Sequence, residues 1–198
     1  MDRETIKVYD EKFEDYAKLV KTNKPSEALD RFMAQVNPGG QVLDLGCGPG
    51  NAAATLVAHG FGVTALDASE GMISLVRQIE GVEPVLADFD WLLDREDEFD
   101  AVWANFALLH AAADKLETYL DAVVRSLKAE GVLHLGMKTG EGELRDSLGR
   151  KYIYRSRETF EALLEERGFV ILDVREGEDV ALAGGIDPFV LILARLTA

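Results

Sequence analysis

A single cysteine, Cys47, stands in 198 residues, so no internal disulfide can form and a reducing compartment is the expected setting. Proline is scarce at 5 while hydrophobic residues reach 47%, which argues against extended disorder and leaves enough apolar surface for a core without covalent staples. Basic residues are outnumbered, 21 Lys+Arg against 36 Asp+Glu, a formal charge of −15. A field of that sign repels phosphate backbones and anionic lipid, so neither nucleic acid nor a membrane surface is an expected partner. No apolar run approaches the ~18 residues a spanning helix needs. The opening, MDRETIKVYDEKFEDY, lacks the apolar core of a secretion signal, and a cytoplasmic protein is expected. His59 ends a helical pattern and His134 lies inside a strand pattern; with His110 and Cys47 they show no metal-ligand spacing, and no metal is expected. A nucleophile–base arrangement of the hydrolase kind is also missing.

What is present is an alternation of periods. From Glu4 to about Lys21, Ile6, Tyr9, Phe13, Tyr16, Ala17 and Val20 recur at steps of three and four, the mark of an amphipathic helix. Pro25-Ser26 opens a second helix, ended by Asn37-Pro38-Gly39-Gly40. Short apolar runs follow at 42–45, 63–67, 84–88, 99–104 and 131–137, separated by helical patterns at about 51–59, 72–79 and 115–128, with Ser69 placed to cap the second of these. After a helix around Phe160-Leu163-Leu164, runs at 170–174 and 189–193 close the chain with no helix between them. Strands alternating with helices predict an α/β fold of three layers, a mostly parallel seven-stranded sheet with an antiparallel C-terminal hairpin at one edge. No composition break divides 1–198, so one domain is expected, with residues 1–38 as a helical cap. The long irregular stretch Thr139–Arg155 is a candidate lid.

Gly46, Gly48 and Gly50 sit where the first strand becomes a helix, a turn that lets a ligand approach the backbone and meet helix N-terminal N–H groups. By itself such a turn is as compatible with a tight structural bend or a dinucleotide site. Acids at three successive strand ends, Asp44, Asp67 and Asp88, would lie side by side along the ligand crevice of a parallel sheet. Asp67 follows Gly48 by 19 positions, close to the ~20 expected of an acid that holds ribose hydroxyls. Each alone could be a helix cap; the three together favour a site.

The run Val-Leu-Asp-Leu-Gly-Cys-Gly-Pro-Gly at 42–50 resembles the first motif of the class I S-adenosylmethionine-dependent methyltransferases, and the later strands fall in the family's order. The segment from Gly140 to Tyr154 further resembles a bacterial branch of small-molecule methyltransferases. The resemblance implies a Rossmann-like methyltransferase fold that binds S-adenosylmethionine and releases S-adenosylhomocysteine. It places Gly46, Gly48 and Gly50 under the methionyl part, Asp44 near its amino group, Asp67 on both ribose hydroxyls and Asp88 on the adenine amino group with Phe89 beside the ring. Ala68 and Met72 would pack on the adenine or simply join the core. Asn105 would reach the methionyl end. A nicotinamide oxidoreductase is the alternative from the same architecture, although GxGxxG would need glycine at 51, where this chain has Asn51. A non-catalytic module that keeps the fold as a ligand-binding or interaction scaffold is the other.

Methyl transfer from a sulfonium asks mainly for alignment and exclusion of water, and for a base only where the acceptor must lose a proton. His110 is the candidate base or acceptor-orienting group; the competing reading is a capping or packing histidine. Tyr9 and Tyr16 share one face of the first helix and would close over the cofactor, or pack on the core. Tyr9, with Arg145, Tyr152 and Tyr154 of the lid, is a candidate contact to the acceptor, and Arg145, Arg150 and Lys151 could hold an anionic group or remain solvated. A small-molecule acceptor is expected, because the chain has little beyond the core fold with which to grip a macromolecule. Oligomeric state is open.

Overall fold

The computed structural model describes residues 2–20, 26–180 and 185–197. Lys21 and Pro25, at the expected helix boundaries, lie outside these residues, as does the side chain of Val20. Helix α1 runs Arg3–Val20 and α2 Glu27–Met33, the latter capped by Ser26, whose hydroxyl accepts from Leu29 N. Then come β1 (Gln41–Leu45), α3 (Asn51–Ala58), β2 (Gly62–Asp67), α4 (Glu70–Val76), β3 (Val82–Leu86), a 3₁₀ turn at Phe89–Asp94, β4 (Phe99–Asn105), a second 3₁₀ turn at Leu108–His110, α5 (Leu116–Ser126) and β5 (Leu127–Lys138). The chain closes with β6 (Gly142–Arg145), β7 (Lys151–Tyr154), α6 (Arg157–Glu165), β8 (Phe169–Val180) and β9 (Ile186–Leu196).

Seven strands form one sheet in the order β3-β2-β1-β4-β5-β9-β8. The pairs β1–β2, β1–β4, β2–β3 and β4–β5 are parallel, and β9 runs antiparallel to both β5 and β8. The expected architecture is therefore present, C-terminal hairpin edge included. Strand residues send alternate side chains to opposite faces, and two cores result. Val42, Val63, Ala101, Trp103 and Val132 meet Phe32, Leu56 and Val76 of α2, α3 and α4 on one face. Leu43, Leu66, Val102, Ala104 and Leu133 meet Phe89, Leu120 and Phe160 on the other. From β1 the chain moves outward to β2 in one direction and later to β4 in the other. The β1/β4 boundary is thus the switch point, where a ligand crevice opens at the strands' carboxyl ends.

Three boundaries differ from the sequence reading. The third strand ends at Leu86, and Asp88 instead caps the 3₁₀ turn, accepting from Asp90 N. Helix α5 stops at Ser126, because 127–131 bulges back into the sheet with Glu130 at φ 61°. Thr139–Arg155 is not irregular: β6 and β7 pair as an antiparallel hairpin, from Gly142 opposite Tyr154 to Arg145 opposite Lys151. No helix among the described residues is long and apolar enough to cross a membrane.

Candidate active site

The turn after β1 needs glycine for geometric reasons. Gly46, Gly48 and Gly50 have φ of 68°, 53° and 85°, the left-handed region that side chains avoid. Gly46 N and Cys47 N donate to Leu66 O at 2.8 and 2.9 Å, which pins the turn to the end of β2. Gly50 stands at the N-cap of α3 without a side chain to cap it. Asp44 takes over that task from the end of β1: its Oδ2 accepts from Ala53 N at 3.1 Å. Asp44 is 2% exposed. Burial, partly offset by the Ala53 bond and reinforced by the charge of Asp67, pushes its carboxyl up to about 7. Cys47 is buried and its thiol is pushed far up, so it is a small turn residue.

Asp67 ends β2 with both oxygens oriented by backbone: Oδ2 accepts from Gly48 N at 2.9 Å and Oδ1 from Ser69 N at 2.9 Å. Burial raises its pKa against these bonds. These bonds fix the plane of a carboxylate whose oxygens have acceptor capacity beyond them. Ser69 caps α4 through Met72 N and donates to Asp10 of α1 at 2.6 Å; Asp10 also accepts from Gly71 N. Ala68 is partly exposed beside them. Met72 is fully buried and thus lies beneath the surface a ligand would touch. Phe89 is fully buried too, edge-on to Tyr119, with no face left open. Tyr16 leans over the turn, so that a Cβ on Gly48 would lie 3.7 Å from its ring.

The acceptor-side candidates converge on one cluster. Tyr9 Oη and His110 Nε2 are 2.9 Å apart, and His110 Nδ1 is 2.7 Å from Lys151 O. A carbonyl can only accept, so Nδ1 carries the ring proton and Tyr9 donates to Nε2. Burial, helped by the charges of Arg150 and Lys138, holds the imidazole down to about 4. Arg150, 3% exposed, donates to Tyr9 Oη at 3.3 Å and grips Asp146 through Nε and Nη2 at 2.9 and 2.7 Å. Tyr152 lies 4.7 Å from the His110 ring and Tyr154 6.2 Å beyond it, centroid to centroid. The cations Arg145, Arg150 and Lys151 each face carboxylates of the chain itself: Arg145 meets Asp2 and Glu4, Arg150 meets Asp146, and Lys151 meets Glu143.

Asn105 ends β4 at the switch point and points its Oδ1 at His134 Nε2, 3.0 Å away. Sequence reasoning missed Asp10, Asp146 and the partner of Asn105. The first two left only ordinary helix and loop carboxylates as signals. The third was legible as Trp103/Asn105 facing His134/Gly136 once the strands were registered. Among the described residues no group of three or more His, Cys, Asp or Glu gathers in a metal-holding arrangement.

Residues 42–131, which carry the turn, Asp67, Asp88 and Asn105, match the methyltransferase domain family. Among curated relatives, the chain is 36% identical over 101 residues to a Bacillus subtilis putative methyltransferase, YqeM, covering 48% of this chain and 40% of that protein. It is 38% identical over 108 residues to a Clavibacter sepedonicus demethylmenaquinone methyltransferase, covering 52% and 43%. The matched region thus spans about two-fifths of those relatives' own length. Among solved structures, a Burkholderia thailandensis 1,6-didemethyltoxoflavin-N1-methyltransferase with bound 1,6-didemethyltoxoflavin and S-adenosylhomocysteine superposes with TM-score 0.79 at 21% identity, over 98% of this chain and 88% of that one. The [4+2]-cyclase SpnF superposes at 0.75 with 16% identity, over 97% and 94%, so likeness at this level speaks for the fold alone. Motif, fold and matched domain agree: residues 42–131 carry a methyltransferase domain, on a fold shared with solved S-adenosylmethionine-dependent methyltransferases.

Proposed function

We propose that the chain binds S-adenosylmethionine at the β1/β4 switch point and transfers its methyl group to a small-molecule acceptor by in-line displacement. The observation that carries this reading is Asp67, whose two oxygens are fixed in plane by Gly48 N and Ser69 N, a carboxylate oriented to accept from a vicinal diol. The residues present fit the group: Gly48 leaves open the space a Cβ would take, and Gly50 heads a helix of eight residues. Asp44, with its carboxyl near neutrality, would set the polarity around the amino group, and Asp88 and Ala68 would border the adenine. When bound, the sulfonium supplies an electrophilic methyl group. The chain then has to orient the acceptor and keep water out, tasks that fall to α1 and the β6–β7 hairpin.

His110 reaches the acceptor only through Tyr9, because Tyr9 occupies its Nε2. A proton leaving the acceptor would therefore arrive at Tyr9 Oη as the Tyr9 proton moves to His110. Acceptors that need no deprotonation would use Tyr9 only to orient them. The acid-rich surface and the compact acceptor side favour a small molecule over nucleic acid or a membrane, and the lone cysteine suits a reducing, cytoplasmic setting.

Calorimetry with S-adenosylmethionine, S-adenosylhomocysteine and NAD tests the reading. The two adenosyl ligands are expected to bind and NAD not; NAD binding without an S-adenosylhomocysteine signal would overturn it. Asp67→Ala should lose two charge-assisted hydrogen bonds, each worth roughly 1.5–3 kcal/mol.

A further inference from the structure

Trp103 and Asn105 of β4 share one face of the sheet with His134 and Gly136 of β5, in register: Trp103 pairs with His134 and Asn105 with Gly136. The indole and imidazole stack, 3.7 Å between centroids and 14° between planes. Gly136 clears the next position, for a Cβ there would come within 2.5 Å of Asn105 Oδ1. Into that gap the Asn105 amide settles, its Oδ1 turned back along the strands to His134 Nε2. The segment beyond Asn105 crosses directly over the glycine turn: Phe106 is bent to φ 57°, and a Cβ on Gly46 would meet Ala107 Cβ at 2.5 Å. Asn105 thus ends β4 beside the glycine turn, with its Oδ1 engaged by His134.

The polarity of the other half of the amide depends on one proton. His134 is 2% exposed. Burial and the charge of Arg31 hold its imidazole down to about 3, so the neutral ring carries a single proton. With the proton on Nε2 the ring donates to Oδ1 and the Asn105 NH₂ faces out. With the proton on Nδ1 the amide would be reversed and an oxygen would face out. His134 also lines a small cleft with Ala28, Arg31, Asp173 and Arg175. There the guanidinium groups offer only donors, and both of them meet Asp173 at Oδ2. A donor-rich setting of that kind favours an acceptor at the other ring nitrogen and the proton on Nε2.

We infer that His134 is a positioning residue: its Nε2–H locks Asn105 Oδ1 and turns the Asn105 NH₂ into the crevice as a donor for the carboxylate at the amino-acid end of the adenosyl ligand. This inference rests on the function proposed above and names the contact that reads the ligand's amino-acid portion.

The test compares S-adenosylhomocysteine with 5′-methylthioadenosine, which keeps the adenosyl group and lacks the amino-acid end. Asn105→Asp preserves the acceptor for His134 but replaces the outward NH₂ by an oxygen. Its affinity for S-adenosylhomocysteine should fall at least tenfold while that for methylthioadenosine stays within twofold. Equal loss of both ligands, or no loss of either, overturns the inference. His134→Phe keeps the stack and frees the amide to reverse. A selective threefold to tenfold loss of S-adenosylhomocysteine is expected, and unchanged affinity would remove His134 from the role. If that variant does not fold, the imidazole ¹⁵N spectrum of the wild type still decides, since an Nδ1–H tautomer for His134 contradicts the inference outright. A wild type that binds neither nucleoside overturns the proposed function instead, and the same spectrum then reports which end of the amide faces out.

Discussion

Gly46, Gly48 and Gly50 share a turn and a positive φ, yet a methyl group added to each meets different surroundings. At Gly46 it would strike Ala107 Cβ at 2.5 Å and at Gly50 Ile79 Cδ1 at 2.6 Å, while at Gly48 only Tyr16 lies near, at 3.7 Å. Gly48→Ala should therefore cost about 1–2 kcal/mol of backbone strain, and Gly46→Ala a further 1–3 kcal/mol of overpacking. Urea midpoints compare them, and in Gly48→Ala the loss of S-adenosylhomocysteine affinity should outrun the loss of stability. Asp44 makes a second residue-scale prediction. Its carboxyl stands at about 7 in the folded chain against 3.8 in the open one. Between those values the folded state holds a proton that the unfolded state has released, so wild-type stability falls as pH rises from about 4 to about 7. Asp44→Asn keeps an acceptor for Ala53 N and does not titrate. Its stability relative to wild type should improve across that window by up to roughly 4 kcal/mol, at 1.36 kcal/mol per pKa unit. A flat difference between pH 4 and 8 would show that Asp44 does not titrate there.

Helix α1 and the β6–β7 hairpin are joined by side-chain hydrogen bonds and ion pairs. The helix is tied to the start of α4 through Asp10 on Ser69 and Gly71, and to the hairpin through Thr5, whose Oγ1 accepts from Lys151 N at 2.9 Å, and through Asp2 on Arg145. The hairpin's own turn is closed by Asp146, which accepts from Leu148 N, Arg150 N and the Arg150 guanidinium. The two arginines should separate sharply. Arg145→Ala removes an ion pair 38% exposed on the arginine side and should cost at most about 1 kcal/mol. Arg150→Ala strands a carboxylate beside a buried cluster and should cost about 3–5 kcal/mol. Denaturation of both variants checks the order. Hydrogen exchange in 2–20 and 139–155 should slow when S-adenosylhomocysteine is added. Identical exchange in a sample that binds it would mean neither segment responds to the ligand. The hairpin was hidden in the sequence because Gly142–Arg145 is exposed throughout and Lys151–Tyr154 buries its two middle residues together, so neither strand alternates.

At the scale of the molecule, one sheet carries a core on each face, and each core holds a tryptophan: Trp103 with α2 and Trp91 against the α5 side. The switch-point strands β1 and β4 send residues to both cores, which couples their melting. Variants with Trp91→Phe or Trp103→Phe leave one reporter on each face. Their fluorescence midpoints in urea should coincide with each other and with circular dichroism, as for a single cooperative unit. Two separated midpoints would divide the chain into independent layers. The acid-rich stretch from Asp88 to Asp100 contributes to the same packing. Asp88 caps a turn, Asp90 accepts from Tyr119 Oη at 2.9 Å, and Asp100 takes Gln41 N and Lys128 Nζ at 2.8 Å each. Part of this charge therefore holds loops to the sheet.

The sequence by itself determined the sheet, the glycine turn and the place of Asp67, because each depends on a strand, a turn and a helix start within about ten residues, or on a spacing along two adjacent units. The tertiary structure decided what lies between partners far apart in the chain. Tyr9 meets His110 across 101 positions and Lys151 meets Thr5 across 146. It also decided protonation, since burial raises Asp44 and lowers His110 and His134. Hydrogen-bond direction and charge state follow from what is packed around a group, and no local pattern of residues records that.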